Sequence, residues 1–268
     1  MKVAIVSKEK RAEGHRDLPL QFKEEFRPDL IRRALLAYAS AQRQPYGASP
    51  EAGLRHSSKL SKRRRDYRGS YGFGISRVNR KIMSRRGMRM NWVCAYSPHV
   101  RGGHRAHPPK AQENLVEQIN VKERRKAIRS AIAATMNRQL VVTRGHLVPA
   151  EYPFVVDNSF ETISKTKDIV GALSALGFDE ELERSGVKKI RAGVGKARSR
   201  PYKRKKGILV VVADKCPLLH AARNIPGVDV VSASALNVAL LAPGALAGRV
   251  TLWTGHALDL LEKKQLFM

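Results

Sequence analysis

Acidic residues, cysteines and long apolar runs are scarce in this chain of 268 residues. Asp and Glu number 23 against 51 Lys and Arg, which gives a formal net charge of +28. The two cysteines, Cys94 and Cys216, form no CxxC pair and no disulfide framework, so a reducing compartment is expected. No apolar run approaches the roughly 18 residues that a membrane span needs. The apolar stretch within residues 1–7 is too short for a signal peptide and predicts a first strand instead.

The excess positive charge is concentrated in two segments. Residues 43–112 hold 17 Lys and Arg against two acids, Glu51 and Asp66, and residues 188–206 hold ten Lys and Arg and no acid. The rest of the chain is close to neutral. Because like charges in one segment repel each other and gain most when phosphates neutralise them, this distribution indicates a large polyanionic partner. A nucleic acid fits this pattern better than a surface of anionic lipid.

Strand and helix patterns alternate in the near-neutral parts of the chain. Short apolar runs predict strands at residues 3–6, 154–156, 208–213, 228–231 and 250–253. A polar loop is expected after the first strand. Helical spacing predicts helices at residues 29–41, 121–139, 159–176, 215–224, 233–241 and 255–264. We expect Ser159 to cap the third of these helices and Gly177 to end it. The alternation predicts an α/β fold with a mostly parallel sheet and helices on both faces.

Periodicity disappears between residues 43 and 109. This segment is rich in Gly and Pro and poor in Leu, Ile and Val, so it cannot offset its ordering entropy with a core of its own. Because it is internal and bracketed by helices, we expect an irregular functional loop that becomes ordered on its partner, rather than a disordered tail. Arginines and aromatic residues are interleaved at 67–77 and 88–92, where both can stack on bases.

Several patterns suggest other sites, and each has a simpler explanation. The Gly- and Lys-containing run at 193–196 lacks the full GxxxxGK[ST] pattern, so a flexible basic loop is expected there rather than a nucleotide site. His104 and His107 have no Cys or carboxylate nearby to complete a zinc site. Asp157 and Asp214 follow predicted strand ends, but capping and solvation explain them without catalysis. No GxGxxG follows the first strand and no GxSxG occurs. We therefore predict no catalytic residue and no metal site.

Short motifs in a fixed order along the whole chain resemble one family. They are RPDLIRRA at 27–34, QPYG at 44–47, AHPP at 106–109, KERRKAIRSAIAA at 122–134, RGH at 144–146, AGVGKAR at 192–198, AARN at 221–224 and LAPG at 241–244. With these motifs the chain resembles the universal family of large-subunit ribosomal protein four, in its archaeal and eukaryotic form. The chain has Tyr71 and Phe73 where members of that family often have a small residue, Gly and Arg.

The resemblance implies a fold, a location and a set of partners. It implies a Rossmann-like α/β domain, residues 1–42 and 113–268, bound to large-subunit ribosomal RNA (rRNA) on the outside of the cytoplasmic large subunit. It implies that residues 43–112 penetrate the RNA and that their tip, residues 70–77, helps to form the narrow part of the peptide exit tunnel. The expected partners are large-subunit rRNA, neighbouring large-subunit proteins including one at the tunnel constriction, and the nascent polypeptide. We expect no membrane, no homo-oligomer and no cofactor, although Mg²⁺ or other ions associated with the rRNA are compatible with this reading.

Charge and the resemblance together define two sets of candidate residues. The predicted rRNA-binding residues are Arg43, Arg55, Lys59, Lys62, Arg63, Arg64, Arg65, Arg68, Arg77, Arg80, Lys81, Arg85, Arg86, Arg89, Arg101, His104, Arg105, His107, Lys110, Lys188, Lys189, Arg191, Lys196, Arg198, Arg200, Lys203, Arg204, Lys205 and Lys206. The predicted tunnel-tip residues are Ser70, Tyr71, Gly72, Phe73, Gly74, Ile75, Ser76 and Arg77.

The predicted function is that of a structural, non-enzymatic constituent of the large ribosomal subunit that supports its assembly. The main alternative is an α/β RNA-modifying enzyme with basic RNA-binding arms. That enzyme would need a cofactor-binding loop after residue 6 or residue 213, and neither position has one. A basic protein that compacts DNA or covers a membrane surface is a second alternative.

Overall fold

A computed structural model describes residues 1–58, 60–66, 69–87 and 89–268. The expectations for Lys59, Tyr67, Arg68 and Met88 lie outside the described residues. The chain divides into two compact units, the larger of residues 1–42 with 116–268 and the smaller of residues 43–115.

Eighteen helices and strands are assigned in the described part of the chain. In chain order they are β1 (Lys2–Val6), β2 (Ala12–Asp17), α1 (Pro28–Ala41), β3 (Arg80–Arg86), β4 (Arg89–Cys94), α2 (Val121–Thr135), α3 (Arg138–Thr143), β5 (Val155–Val156), α4 (Thr166–Ala175), α5 (Asp179–Gly186), β6 (Lys189–Ile190), β7 (Tyr202–Lys203), β8 (Leu209–Val212), α6 (Pro217–Ala221), β9 (Asp229–Ser232), α7 (Val238–Leu241), β10 (Thr251–Thr254) and α8 (Gly255–Lys263). Short 3₁₀ turns occupy Leu20–Lys23, Asn158–Thr162, Ala222–Asn224, Ala233–Ala235 and Pro243–Ala245.

Six strands of the larger unit form one mostly parallel sheet. Their order is β2-β1-β5-β10-β8-β9, with β2 antiparallel to β1 at one edge and the other neighbours parallel. The last strand of the chain therefore lies in the middle of the sheet, where Trp253 pairs with Val155 on one side and Val211 on the other. This sheet confirms the predicted mixed α/β class.

Alternate residues of β8 point into two separate hydrophobic cores. Leu209 and Val211 pack with residues of α1, α2, α7 and α8, whereas Val210 and Val212 pack with residues of α4 and α6. All four side chains are buried. Because both faces of this strand are covered, its sequence is a continuous apolar run rather than an alternating one.

Asparagine caps interrupt two of the predicted helices. The helix predicted at 121–139 is wrong beyond Thr135, because Asn137 has extended backbone and its side-chain oxygen accepts hydrogen bonds from the amides two and three residues on, at 3.0 and 3.4 Å. These bonds start α3. The helix predicted at 233–241 is interrupted in the same way, since Asn237 accepts a hydrogen bond from the Leu240 amide at 2.9 Å and starts α7.

The helix predicted at 159–176 is wrong in its first turns. Asp157, and not Ser159, acts as the cap: its carboxylate accepts a hydrogen bond from the Ser159 amide at 2.9 Å and starts the 3₁₀ turn Asn158–Thr162. The backbone is extended before α4, which begins only at Thr166. The end of this helix is as predicted, because Gly177 adopts a φ of +88° just past it.

Two strand pairs occur where loops were predicted. Residues 12–17 form β2, an edge strand whose side chains are almost all exposed, so main-chain pairing alone defines it. In the smaller unit, β3 and β4 form an antiparallel hairpin that runs from Arg80 opposite Cys94 to Arg86 opposite Arg89. The expectation that residues 43–109 are irregular throughout is therefore wrong for this hairpin.

Candidate nucleic-acid interface

The predicted cations are almost all on the surface. Among the predicted rRNA-binding residues that the structure describes, four are half-buried and the others are exposed. The half-buried ones are Arg80, Lys81, His104 and Arg191. Lys59 and Arg68 lie outside the described residues. Exposure leaves the charge of these side chains available to a polyanion, and their contacts with RNA remain a prediction.

Arg80 fastens the segment before the hairpin to the second hairpin strand. Its Nη1 donates a hydrogen bond to Sγ of Cys94 at 3.0 Å, and its Nη2 donates to the carbonyl and hydroxyl oxygens of Ser76 at 2.8 and 3.0 Å. The guanidinium is thus held in a fixed plane at the base of the hairpin.

Two arginines approach the ring of Tyr71 at the predicted tip. The guanidinium carbons of Arg64 and Arg77 are 5.2 and 5.4 Å from the centre of its ring, within cation–π range. Arg64 also donates a hydrogen bond to the Tyr71 hydroxyl at 3.2 Å. The predicted tip residues from Tyr71 to Arg77 are all exposed, whereas Ser70 is buried and its amide donates to the Ser61 carbonyl at 3.1 Å.

His104 has a structural contact that the sequence did not indicate. Its ring meets Tyr96 edge-on, with the ring centres 5.4 Å apart, and Nδ1 is hydrogen-bonded to the Tyr96 carbonyl. The turn before it is tight, because a Cβ on Gly103 would lie 2.0 Å from the Ser97 carbonyl oxygen. Only glycine fits this position, so the glycines of this segment serve close backbone packing as well as any approach to RNA.

The two ends of the smaller unit lie side by side. The Ala48 amide donates a hydrogen bond to the Pro109 carbonyl at 3.0 Å. A Cβ on Gly47 would be 2.4 Å from the Ala111 amide nitrogen, so the two backbones are in direct contact. The segment therefore begins and ends at adjacent positions.

The second basic segment is a small hairpin in the larger unit. Strands β6 and β7 pair Lys189 with Lys203 and Ile190 with Tyr202. Lys188 places its ammonium 3.6 Å from the centre of the Tyr202 ring. Arg191 turns back toward the hairpin and donates to the carbonyls of Arg200 and Tyr202 at 3.1 and 3.3 Å. Arg191 therefore also holds the loop in shape.

A buried carboxylate supports the end of this hairpin. Glu181 on α5 is fully buried and accepts hydrogen bonds from Arg184 at 2.6 and 2.7 Å, from His146 Nδ1 at 2.7 Å and from the Leu147 amide at 3.0 Å. Burial alone would raise the pKa of Glu181, but these hydrogen bonds outweigh it and lower the pKa to about 2. Arg184 also donates to the Lys206 carbonyl at 2.7 Å, which ties the basic segment to the fold.

A second buried charge lies where the basic segment joins β8. The Arg249 side chain is 0% exposed and donates to the carboxylate of Asp229 at 2.6 Å and to the carbonyls of Gly207 and Leu240 at 2.8 and 2.9 Å. Lys206 reaches the same carboxylate from the surface at 2.9 Å. Burial would raise the pKa of Asp229, and the two cations lower it instead.

Asp157 and Glu161, near the carboxyl ends of the strands, have structural roles. Asp157 is a cap, and Glu161 accepts hydrogen bonds from the Ala213 amide at 3.3 Å, the Thr254 hydroxyl at 2.6 Å and His256 Nδ1 at 3.2 Å. Within the described ranges, no three His, Cys, Asp or Glu side chains are grouped closely enough to hold a metal ion. No helix in the described part of the chain has the length and hydropathy of a membrane span.

Comparison with known proteins identifies the family. The model of the ribosomal protein L4/L1 family matches residues 17–264, nearly the whole chain. The chain belongs to this family. The sequence resemblance is confirmed. The chain is a structural ribosomal protein and not an enzyme, so the RNA-modifying alternative has no support.

Three of the relatives with full-length similarity come from archaea. The large ribosomal subunit protein uL4 of Nanoarchaeum equitans is 48% identical over 268 residues, which are 100% of both chains. The protein of the same name from Methanocaldococcus jannaschii is 45% identical over 267 residues, 98% of this chain and 99% of the relative. That of Archaeoglobus fulgidus is 42% identical over 262 residues, 97% of this chain and 98% of the relative.

Proposed function

We propose that this ribosomal protein is a constituent of the large ribosomal subunit that binds large-subunit rRNA and supports assembly. The observation that carries the proposal is the mostly exposed excess of positive charge in two segments, which we call the extension (residues 43–112) and the basic loop (residues 188–206). In the extension only Glu51 and Asp66 oppose 17 cations, and Glu51 reaches Arg55 only at 3.9 Å. Such surfaces gain the most binding free energy when phosphate groups neutralise them.

The proposal assigns different roles to the two segments. The two ends of the extension are adjacent, since the Ala48 amide is hydrogen-bonded to the Pro109 carbonyl. The extension is therefore suited to entering RNA as a single arm. If about 35 residues run outward and about 35 run back, a fully extended chain would place the tip at most roughly 110 Å from the two ends. Its tip, residues 70–77, would then contribute to the narrow part of the exit tunnel, beside a neighbouring protein and the nascent chain. The basic loop, held by Arg184 and Asp229, would grip RNA at the surface of the domain.

The domain arrangement is part of the same proposal. The five parallel strands with intervening helices favour a Rossmann-like domain, which residues 1–42 and 113–268 would form. It would act in the cytoplasm within the ribosome, as one copy, without a membrane and without a cofactor apart from ions associated with the rRNA.

The physical mechanism is phosphate neutralisation coupled to ordering. Each phosphate contact releases a condensed counterion, which offsets the entropy lost when a Gly-rich segment is fixed. With about 6–10 phosphate contacts, the affinity for rRNA should fall by roughly 10³–10⁵-fold between 50 and 200 mM salt. An affinity that does not change with salt would contradict this mechanism.

The test separates the extension from the domain. Residues 49–108 are replaced by a short Gly-Ser linker, which the adjacent Ala48 and Pro109 make sterically feasible. We expect the thermal unfolding transition of the larger unit to be retained, and binding to large-subunit rRNA to be weakened and less salt-dependent. The matched comparison is the full chain with Lys203, Arg204 and Lys205 changed to Gln.

Two results would contradict the proposal. If the deletion variant does not fold, the extension belongs to the core and the domain assignment is wrong. If the full chain leaves the large subunits entirely during washing in moderate salt, it is not an integral constituent of them.

A further inference from the structure

The half-buried face of the β3–β4 hairpin contains a cleft of about 390 Å³. It is lined by Phe73, Ile75, Arg80, Met90 and Trp92. Met90 and Trp92 are alternate residues of β4, so they share a face, and both are half-buried, while Asn91 between them is exposed. The volume is within the range of small-ligand sites, about 300–1,000 Å³.

Arg80, a lining residue of this cleft, carries a buried hydrogen-bond donor without a partner among the described residues. Its two terminal nitrogens are engaged by Cys94 and Ser76, but its Nε–H is shielded from solvent and has no partner among the described residues. A shielded donor on a charged group is costly to leave unpaired. An acceptor that enters the cleft would satisfy it once the Arg80 side chain shifts enough to open the Nε–H.

The other walls of the cleft are apolar and aromatic. Phe73 is 71% exposed and Ile75 is 42% exposed, so both present apolar surface to an incoming group. The hairpin around them is strongly basic, with Arg77, Arg86 and Arg89 all exposed. The cleft therefore combines apolar and aromatic walls, a buried donor on the lining residue Arg80 and a positive rim.

We propose that this cleft receives one unstacked base of the large-subunit rRNA, which stacks on the aromatic side chains and accepts a hydrogen bond from Arg80 Nε–H. The inference rests on the proposed rRNA binding and names one of its contacts. A base has two apolar faces and acceptors on its edge, and its phosphates match the positive rim. An apolar side chain of a partner protein would fill the walls but would leave the Arg80 donor unpaired.

The first test uses the wild-type protein in assembled large subunits. Ultraviolet cross-linking followed by mass spectrometry of the digested protein should give nucleotide adducts on Trp92 or Phe73. Adducts that join these residues to a protein side chain would overturn the proposal and indicate a protein occupant. A lack of any adduct would also count against it, provided that hydroxyl-radical footprinting shows the extension on the rRNA.

The second test compares variants on the same hairpin. Arg80→Lys and Trp92→Leu should each expose the same single nucleotide to base-specific chemical modification, with a rise of about fivefold or more, because the first removes the hydrogen bond and the second a stacking partner. Arg86→Lys, an exposed position at the end of the hairpin, is the matched control and should leave that nucleotide protected.

The outcomes distinguish the cleft from the wider proposal. If the extension keeps its backbone footprint but no base changes reactivity in either variant, the cleft has been misassigned while rRNA binding stands. If the wild-type chain gives no footprint on the rRNA at all, both proposals fail.

Discussion

Arg184 donates hydrogen bonds at 2.6 and 2.7 Å to the carboxylate of Glu181, and the carboxylate is fully buried beneath it. The same guanidinium reaches the Lys206 carbonyl at 2.7 Å, at the last residue of the basic loop. One buried ion pair therefore connects the interior of the domain to the segment that we propose grips RNA. Damage to this pair should affect both the stability of the domain and the position of the loop.

Replacing Glu181 with Gln should destabilise the domain. The change leaves the guanidinium of Arg184 without its buried counter-charge, and the loss of one partner of such a pair costs about 3–5 kcal/mol. Urea unfolding would measure the difference in the free energy of unfolding. Glu183→Gln, at an exposed position on the same helix, is the control and should change stability by less than about 0.5 kcal/mol. Equal stabilities of the two variants would refute the assigned role of Glu181.

The free energy of unfolding should decrease as the pH is lowered, over a pH range set by the contacts of Glu181. Hydrogen bonds overcome the effect of burial and hold the pKa of Glu181 at about 2, below its ordinary value of 4.5, so the unfolded chain takes up this proton first as the pH falls. The stabilisation is complete above about pH 5 and is lost progressively toward pH 2. Burial lowers the pKa of His146 below its ordinary value of 6.5, despite its contact with Glu181, and this acts in the same direction from a higher pH.

Thermal melts between pH 7 and pH 3 would measure this dependence. Glu181→Gln should flatten the curve below pH 5, because the variant has no carboxylate to protonate at this position. A wild-type midpoint that rises as the pH is lowered through this range would have the opposite sign and would contradict the assignment.

The two cations on Asp229 should differ in their contributions to stability. Arg249 is 0% exposed and uses its planar fork for Asp229 and two carbonyls, so Arg249→Lys should cost about 3 kcal/mol or more. The Lys206 side chain is 56% exposed, so Lys206→Gln should cost less than about 1 kcal/mol. Chemical unfolding of the two variants gives the comparison directly. A larger loss of unfolding free energy in Lys206→Gln than in Arg249→Lys would show that the exposed Lys206–Asp229 ion pair contributes more than the buried one.

Burial on both faces made the centre of the sheet predictable from sequence. Residues 208–213 form one continuous apolar run, and the structure places Leu209–Val212 between two hydrophobic cores. Edge elements gave no such signal. The side chains of β2 are mostly exposed, and the exposed positions of the β3–β4 hairpin include Ile82, Met83 and Val93, so the alternation of Met90 and Trp92 was hidden.

Local hydrogen bonds decided the helix ends that were predicted wrongly. Asn137 and Asp157 lie within or beside apolar spacing that continues past them, and only their side-chain bonds to backbone amides show where one element ends and the next begins. For the candidate site, the charge pattern of the sequence predicted which segments are basic. It did not predict which side chains are held in place by hydrogen bonds within the fold. Glu181 stands in an acidic run that looks solvated in sequence, and the contact of His104 with Tyr96 had no signal in the sequence.

The basic loop should contribute a measurable part of the salt dependence of rRNA binding. Lys203, Arg204 and Lys205 are exposed, and none is part of the buried clusters, so changing all three to Gln should leave the unfolding transition intact. Each lost phosphate contact lowers the slope of log affinity against log salt by about 0.7–0.9, so the triple variant should lose roughly 2–3 units of slope. Filter binding to large-subunit rRNA at several salt concentrations would measure it.

The matched control removes the same charge elsewhere on the larger unit. Lys165, Lys167 and Lys264 are exposed and lie outside both basic segments. Changing these three to Gln alters the net charge equally but should leave the slope nearly unchanged, because specific phosphate contacts and not total charge set the number of counterions released. If both triple variants lower the slope by the same amount, the basic loop has no privileged contact with RNA and acts only through the net charge of the chain.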